Sequence, residues 1–578
     1  MRKVVSRSAT LVALGLLAAA GCHISGKDPE PFDPRAAQQN ERAAAHDAAL
    51  RPVRPLPTTL ESPYDDTSTG PATQQTKSVP ATGPAIETSP SIRLTLREIV
   101  QRAVANNMDV RVAGYQPAID ETRVTEAQAR FDPTFFTNLT YQDQTVLSPS
   151  TNNVNLQPGD AIIFRGWTGD VGVRQDLETG GKLEVKYSTA LTQRSPGSVG
   201  LGQTIQPNPF WTSELALQLT QPLLRDFGYQ LNQARISIAR NNQAISLLDF
   251  RDSLEKTLRD IEDSYWQLVQ AEGEVSIADQ LLSETLTTAD LLIKRKGQDV
   301  TRVQISQTNS FVETRRAALI RARSRVRDFS DQLKGLMNDP TLPVSSATVV
   351  LPATVPLEEQ IRMNLEDLIS TGLENRFELG QQLLRMDSAN IATKVAKNNL
   401  LPQLNLVGSV GVEGLDANWP SALDNMDTGD HISWSAGLQF ELPFGNRAAR
   451  AIWKRTLLQR QQAVAQYQAL IDKTSLEIKQ SLRDVETSWE EMYATRMARF
   501  AASDALRAIQ QREEGGEALT YSFVDLKLTT QQRLAEAATA EVTSISNYNR
   551  ALSRLEFVKG TLLRYNNVVM EEAPLVKY

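Results

Sequence analysis

The chain has 578 residues and a formal net charge of −7, with 61 lysines and arginines spread among 68 acidic residues. This even mixture excludes the clustered basic surface that nucleic-acid binding requires. The length would hold three or four ordinary domains, but one pattern occurs twice, so a single large duplicated unit is expected.

The N-terminus predicts export and lipidation. A basic start and a short apolar run lead through Ala19-Ala20-Gly21 to Cys22, the only cysteine. The run is shorter than the ~20 residues that cross a bilayer. Residues 1–21 resemble a bacterial lipoprotein signal. That resemblance implies cleavage before Cys22 and acylation of its sulfur, for example with palmitate, and an ordinary cleaved secretory signal is the alternative.

Residues 22–90 are rich in proline and poor in large apolar side chains. Such a segment buries too little apolar surface to offset the loss of chain entropy on folding. The sequence therefore predicts a flexible tether between the lipid and the folded body.

Two repeats follow the tether. Leu258-Arg259-Asp260-Ile261-Glu262 recurs as Leu482-Arg483-Asp484-Val485-Glu486, and an internal repeat on this scale decides the architecture. The domains predicted are a first repeat, a linker, a second repeat and a C-terminal tail, at residues 91–340, 341–356, 357–566 and 567–578. Each repeat has a helix, a β section and a very long helical section, and the β section of the first repeat is longer by about 45 residues.

Four segments alternate apolar and polar residues over about ten positions, as half-buried strands do. They begin near Phe135, Trp211, Gln403 and Ile432. A soluble β-sandwich would show the same alternation, but the lengths and the aromatics near the segment ends fit transmembrane β-strands. Four strands are too few to close an outer-membrane barrel, whose smallest members have about 8, so several chains would have to combine.

The additional residues in the β section of the first repeat predict one more hairpin, at about residues 166–195. Gly180-Gly181 separates two alternating runs there, which is a hairpin signal. The sequence leaves open whether this hairpin joins the barrel or decorates it.

The helical sections are too long for a globular core. Both run free of proline and each is broken once, which predicts helices of some sixty residues, or about 90 to 100 Å. Apolar residues spaced by threes and fours indicate a coiled-coil seam, and a filament is the alternative reading. The break is basic in the first copy and acidic in the second, so these breaks are either solvated turns or docking tips for a partner protein. The residues of the first break are Lys294, Arg295, Lys296 and Gly297, and those of the second are Glu513, Glu514, Gly515 and Gly516.

An ordered set of motifs over residues 91–565 resembles the TolC-like outer-membrane efflux proteins, also called outer-membrane factors. The motifs include Leu94-Thr95-Leu96-Arg97-Glu98, Phe131-Asp132-Pro133, Leu219-Thr220-Gln221-Pro222, Leu400-Leu401-Pro402 and Phe440-Glu441-Leu442-Pro443. The resemblance implies a mainly α fold with membrane β: a homotrimer whose chains each give four strands to a shared 12-stranded β-barrel, which continues into a periplasmic α-helical tunnel.

The same resemblance implies function, partners and location. The chain would be the outer-membrane channel of a tripartite efflux or type I secretion system and would act as a passive exit duct. Its partners would be outer-membrane lipid, a periplasmic adaptor and an inner-membrane transporter. Nucleic acid is not expected as a partner. It also implies a gate in the stretch from Tyr521 to Thr530, where Asp525 and Lys527 are the candidate residues. A periplasmic adaptor lipoprotein and a structural envelope-spanning tether are the alternatives.

Catalysis is not expected. The three histidines, His23, His46 and His431, are far apart in the sequence, and none can form a zinc site with a second His or Cys in the folded body. The chain has neither a Gly-x-Ser-x-Gly nucleophile elbow nor a P-loop. We therefore expect no enzyme activity, no metal and no cofactor.

Overall fold

The computed structural model describes residues 90–147, 161–195, 198–199, 203–204, 207–297, 300–428 and 430–568. The predicted signal, Cys22 and almost all of the predicted tether lie outside these ranges. Within them, no helix is both long enough and apolar enough to cross a membrane. The fold comprises two compact units.

The helices and strands follow the duplicated order that the sequence predicts. The helices are α1 (Leu96–Asn106), α2 (Met108–Gln128), α3 (Tyr229–Asn232), α4 (Ala234–Lys294), α5 (Arg302–Met337), α6 (Leu365–Asn375), α7 (Phe377–Asn398), α8 (Trp419–Asp427), α9 (Arg447–Glu514), α10 (Tyr521–Val558) and α11 (Leu562–Tyr565). The strands are β1 (Ser91–Leu94), β2 (Thr134–Leu147), β3 (Ala161–Asp176), β4 (Lys182–Ser195), β5 (Ser198–Val199), β6 (Gln203–Thr204), β7 (Phe210–Pro222), β8 (Val349–Pro352), β9 (Gln403–Asp416) and β10 (Ile432–Glu441).

The first unit, built from Pro117–Ser246 and Gln382–Gln466, contains a six-stranded sheet in the order β10-β9-β7-β4-β3-β2. All neighbouring strands are antiparallel. The strands are thus adjacent in the order in which the chain forms them, which is an up-and-down meander. Its two outer strands, β2 and β10, each have one edge without a partner strand among the described residues.

The four predicted strands are present in this sheet. The predicted hairpin forms as β3 and β4 and lies inside the sheet, between β2 and β7, which brings the number of its strands to six. The register explains why it fits. Val185 on β4 stands opposite both Val173 on β3 and Leu217 on β7, so the apolar positions of the hairpin fall on the apolar face of the sheet.

The connection between β9 and β10 contains the short helix α8. Pro420 lies in the first turn of α8, where its fixed φ favours a helix. Ala422 is fully buried against Gly414 of β9. A side chain at Gly414 would collide with the backbone of α8, so this glycine makes room for the helix.

The second unit comprises the described residues up to Gln116, Leu247–Gln381 and Tyr467–Tyr578. α4 and α9 have 61 and 68 residues, in agreement with the predicted length of some sixty. α5 and α10 are shorter, at 36 and 38 residues, because the turns lie nearer the C-terminal end of each proline-free run. The buried residues of α5 recur every three or four positions, as the predicted seam requires.

A small parallel β pair in the second unit was not predicted. β8 lies within the segment predicted as a linker, is fully buried and pairs in parallel with β1. The Tyr265 hydroxyl of α4 accepts a hydrogen bond from the backbone N–H of Thr354, just after β8, at 2.8 Å. The segment between the repeats is therefore part of the core of this unit.

Candidate functional site: the helical tips and the gate segment

The first predicted tip is the turn between α4 and α5. α4 ends at Lys294, and Gly297 has φ of +89°, a left-handed conformation that favours glycine. Lys294 is exposed and pairs with Asp290 at 2.6 Å. Thr301 caps α5 through a capping box with Gln304. The turn thus presents the predicted basic residues Lys294, Arg295 and Lys296 beside a firmly capped helix.

The second predicted tip is the turn between α9 and α10. Its backbone closes through hydrogen bonds from the N–H of Gly515 to the carbonyl of Gln511 and from the N–H of Gly516 to the carbonyl of Glu513, as at many helix C-termini. Glu514 is exposed, whereas Glu513 is partly buried. Of the two predicted acidic residues, Glu514 is therefore the one that is open to a partner.

The two tips share one apolar cluster. Side chains from α4, α9 and α10 and from both turns are buried together there: Leu292, Val300, Ile509, Leu519, Phe523, Val524 and Leu528. Ile305 and Phe311 of α5 are partly buried against this cluster. Burial of such side chains is worth roughly 1.5 to 3 kcal/mol each. The tips consequently form one packed structure and not two independent hairpin ends.

Polar links surround the predicted gate residues. The Asp525 carboxylate accepts a hydrogen bond from the Gln307 side chain of α5 at 3.1 Å. The Lys527 ammonium group lies 2.6 and 2.9 Å from the two carboxylate oxygens of Glu513. Lys527 is only 8% exposed, so removal of either partner would leave a poorly solvated charge. The structure thus brings the two candidate gate residues into contacts that hold the start of α10 against α5 and α9.

Arg315 belongs to the same set of links and was missed by the sequence analysis. Its guanidinium group donates to the carbonyl of Leu528 at 2.8 Å and to the Gln531 side chain at 3.2 Å, and it also bonds the Thr285 hydroxyl. Burial lowers the pKa of Arg315 to about 10, opposed by the nearby charge of Glu284, so the group stays charged at neutral pH. Its place on the buried seam of α5 is the sequence signal that would have identified it.

The buried seam of α5 mixes polar and apolar residues along its whole length. Val312 lies among Gln304, Thr308 and Arg315 towards the tip, and Ser330 and Lys334 are buried beside Leu333 at the other end.

Comparison with known proteins agrees with this architecture. Residues 368–561 match the model of a family described as outer membrane efflux protein. No curated protein matches the chain significantly.

Solved structures show the same fold at low sequence identity. The outer membrane protein VceC from Vibrio cholerae is 16% identical with a TM-score of 0.55, and the alignment covers 80% of this chain and 96% of that one. The CmeC outer membrane channel of Campylobacter jejuni is 15% identical with a TM-score of 0.57, covering 86% and 94%. The MtrE outer membrane channel of Neisseria gonorrhoeae is 15% identical with a TM-score of 0.54, covering 87% and 98%.

The duplicated helical hairpins and the antiparallel sheet have the fold of these outer-membrane channel structures, and residues 368–561 carry the outer membrane efflux protein domain.

Proposed function

We propose that three copies of this chain form a passive exit duct through the outer membrane and into the periplasm, as the channel of a tripartite efflux or type I secretion system. The observation that carries the proposal is a sheet with one apolar face and two long free edges, in a chain of long helical hairpins. Passage through such a duct requires no catalytic group.

The free edges support assembly. All ten residues of β10 are exposed, and so is almost all of β2. Trp434 on β10 and Leu139 on β2 are 76% and 74% exposed. Long apolar edge strands like these pair with another chain, and in lipid every backbone group needs a partner. β10 of one copy beside β2 of the next would satisfy both strands.

The helical tips are the proposed docking surface for a periplasmic adaptor, which would connect the duct to an inner-membrane transporter. Lys294 and Lys296 on one tip and Glu514 on the other are exposed and carry opposite charges. Such an arrangement orients a partner with the complementary pattern. In the assembled duct, the links of Asp525 and Lys527 would hold the tip closed until docking breaks them.

The proposed location is the outer membrane, with the helical body in the periplasm and a lipid on Cys22 as an additional anchor. This use of Cys22 rests on the sequence pattern alone. Labelling of the chain by a radioactive fatty acid, and its loss in a Cys22→Ala variant, would test it.

Cross-linking between strand edges tests the assembly. Ser435→Cys, in the middle of the polar face of β10, is combined in turn with Asn138→Cys, Thr140→Cys and Gln142→Cys on the polar face of β2. One of the three pairs should give a covalent trimer on a denaturing gel, because disulfides need Cβ atoms about 4 Å apart.

Two controls accompany this test. Ser435→Cys alone controls for bonds through Cys22. Trp434→Cys with Thr140→Cys places the thiols on opposite faces, where they cannot meet. A protein that migrates as a monomer without heating and forms no cross-link in any of the three pairs would refute the assembly.

A further inference from the structure

We propose that the assembled barrel contains eighteen strands, six from each copy, and that β3 and β4 widen its bore. This inference rests on the proposed function, because it takes three copies as the closed assembly. It concerns the closed β-sheet of the barrel that those copies form, which is called the wall below.

Strand pairing places the hairpin in the wall. β2 pairs with β3 along its whole length, from Thr134 opposite Arg174 to Leu147 opposite Ala161. β4 pairs with β7 from Lys182 opposite Thr220 to Thr192 opposite Phe210. β2 and β7 are not neighbours. A wall that omitted the hairpin would have to exchange both of these ladders for a new one.

One face of the hairpin is suited to lipid. Val171 and Val173 on β3 and Leu183, Val185 and Leu191 on β4 lie on the same face as the leucines of β7. On β4 these positions run from residue 183 to 191, which approaches the 9 to 11 residues of a transmembrane β-strand. Tyr187 and Thr189 stand between Val185 and Leu191 on this face, and the Trp419 indole of α8 donates to the Tyr187 hydroxyl at 3.2 Å. The apolar band thus continues across the hairpin with one polar interruption.

Aromatic residues mark both borders of this band. At the end of the strands that joins the helices, Phe135 and Phe440 lie on the apolar face of β2 and β10. Trp211 and Trp434 lie near the other end of β7 and β10. Trp167 of β3 stands in the same cross-strand row as Trp211 and packs on Tyr141 of β2 with ring centroids 5.1 Å apart. Two girdles of this kind are typical of outer-membrane barrels, and Trp167 extends the row of Trp211 into the hairpin.

The opposite face of the hairpin is suited to water. Lys186 and Ser188 on β4 and Asp170 and Arg174 on β3 share the face of Gln218 on β7. The Ser188 hydroxyl donates to the Asp170 carboxylate at 2.6 Å. A channel lining has this polar character, and a charged face of this kind could not stand in hydrocarbon.

The number of added strands preserves closure. In an up-and-down sheet each added strand reverses the direction of the strand that follows it. Inserting two strands therefore leaves the relative direction of the two outer strands unchanged. β2 and β10 remain antiparallel to each other, and β10 of one copy can still pair antiparallel with β2 of the next. A hairpin can be inserted in this way, whereas a single strand cannot.

The turn of the hairpin is built into the base of the sheet. Gly180 has φ of +95°, and a Cβ there would lie 2.2 Å from the carbonyl oxygen of Asp226. The Thr179 hydroxyl donates to the Gln221 side chain at 3.0 Å, and the N–H of Gly228 donates to the Thr179 carbonyl at 3.1 Å. A hairpin that merely decorated the barrel would need no such fit to the segment that follows β7.

The consequence is a wider bore. With strands about 4.8 Å apart and tilted by about 40°, twelve strands give a backbone radius of about 12 Å and eighteen give about 18 Å. The backbone cross-section therefore grows roughly twofold. Cargo too bulky for a twelve-stranded barrel would pass the outer-membrane section of this one.

Labelling of single cysteines in the full-length trimer, reconstituted in lipid, tests the proposal. Val185→Cys and Lys186→Cys are neighbours on β4, and Leu217→Cys and Gln218→Cys form the matched pair on β7. A water-soluble maleimide should label Lys186→Cys and Gln218→Cys at least tenfold faster than their neighbours. A fluorophore at Val185→Cys should be quenched by brominated lipid as strongly as one at Leu217→Cys.

The cysteine pairs on β4 and β7 distinguish a failure of this proposal from a failure of the proposed duct. If the β7 pair alternates while Val185→Cys reacts as fast as Lys186→Cys and is not quenched, the duct exists and the hairpin lies outside its wall. If neither pair alternates, the proposed duct itself is wrong. The parent protein without added cysteines gives the background from Cys22.

A deletion of residues 148–209, which joins β2 to β7, provides a second test. With four strands per copy, the trimer should exclude added polyethylene glycol from the outer side at about two thirds or less of the radius found for the full chain, because side chains narrow both barrels by the same thickness. An unchanged size limit would overturn the proposal. If the deletion variant does not assemble, the labelling experiment still decides.

Discussion

Replacement of Glu255 by glutamine should remove a large part of the pH dependence of stability in the helical body. Glu255 lies on α4, is only 2% exposed, and one of its carboxylate oxygens has no hydrogen-bond partner among the described residues. Burial raises the pKa of Glu255 to about 8, opposed mainly by a hydrogen bond from the backbone of Leu563. At neutral pH the folded protein therefore holds this carboxyl group protonated.

The direction and the size of the pH effect on the free energy of unfolding follow from proton linkage. The pKa is raised on folding, so the folded state is fully favoured below the unfolded value near 4.5 and loses stability as the pH rises towards 8. Each pH unit in this window costs about 1.4 kcal/mol, which gives roughly 3 kcal/mol per subunit between pH 5 and pH 8. Glutamine mimics the protonated carboxyl group at every pH and should avoid this loss.

The assay is thermal unfolding of the detergent-solubilised trimer, followed by circular dichroism at one scan rate at pH 5 and at pH 8. Glu255→Gln should match the wild type at pH 5 and unfold at a higher temperature at pH 8. Asp260→Asn removes an exposed carboxylate from the same helix and serves as the control. If Glu255→Gln and the wild type lose the same stability between the two pH values, the buried carboxyl is not protonated and the argument fails.

Three further substitutions test other contacts. Lys527→Ala leaves the Glu513 carboxylate poorly solvated without its partner, which should cost about 3 kcal/mol at the tip. It should raise the leak current of the closed channel, while Lys294→Ala, at an exposed pair, should not. Asp525→Ala should change the block of the open pore by divalent cations, and an unchanged blocking constant would remove this residue from the gate. Gly180→Ala should destabilise the sheet by more than Gly228→Ala, because both glycines have positive φ but only Gly180 lacks room for a Cβ. Equal amounts of folded trimer from these two glycine variants would contradict the close approach.

The strands and long helices were predictable because their signals are local. Alternation along β9 and β10 and the recurring apolar positions of α4 each depend on neighbours within one element. The hairpin at Gly180-Gly181 was predictable for the same reason. Its insertion between β2 and β7 was not, because the choice of strand neighbours depends on ladders between segments distant in sequence.

The contacts at the tip were only partly predictable. The resemblance to TolC-like proteins implied Asp525 and Lys527 as candidate gate residues, but their partners come from other helices. Glu513 meets Lys527 across the turn, and Gln307 meets Asp525 from α5. Arg315 went unnoticed because a single basic residue on a long helix usually faces water.

Single-channel recording in a planar lipid bilayer tests the central claim most directly. The purified trimer should insert and produce discrete, uniform conductance steps, with larger steps when Lys527→Ala loosens the tip. An adaptor lipoprotein or a structural tether would not conduct. A trimer that inserts into the bilayer and carries no current, in either the wild type or this variant, would contradict the account.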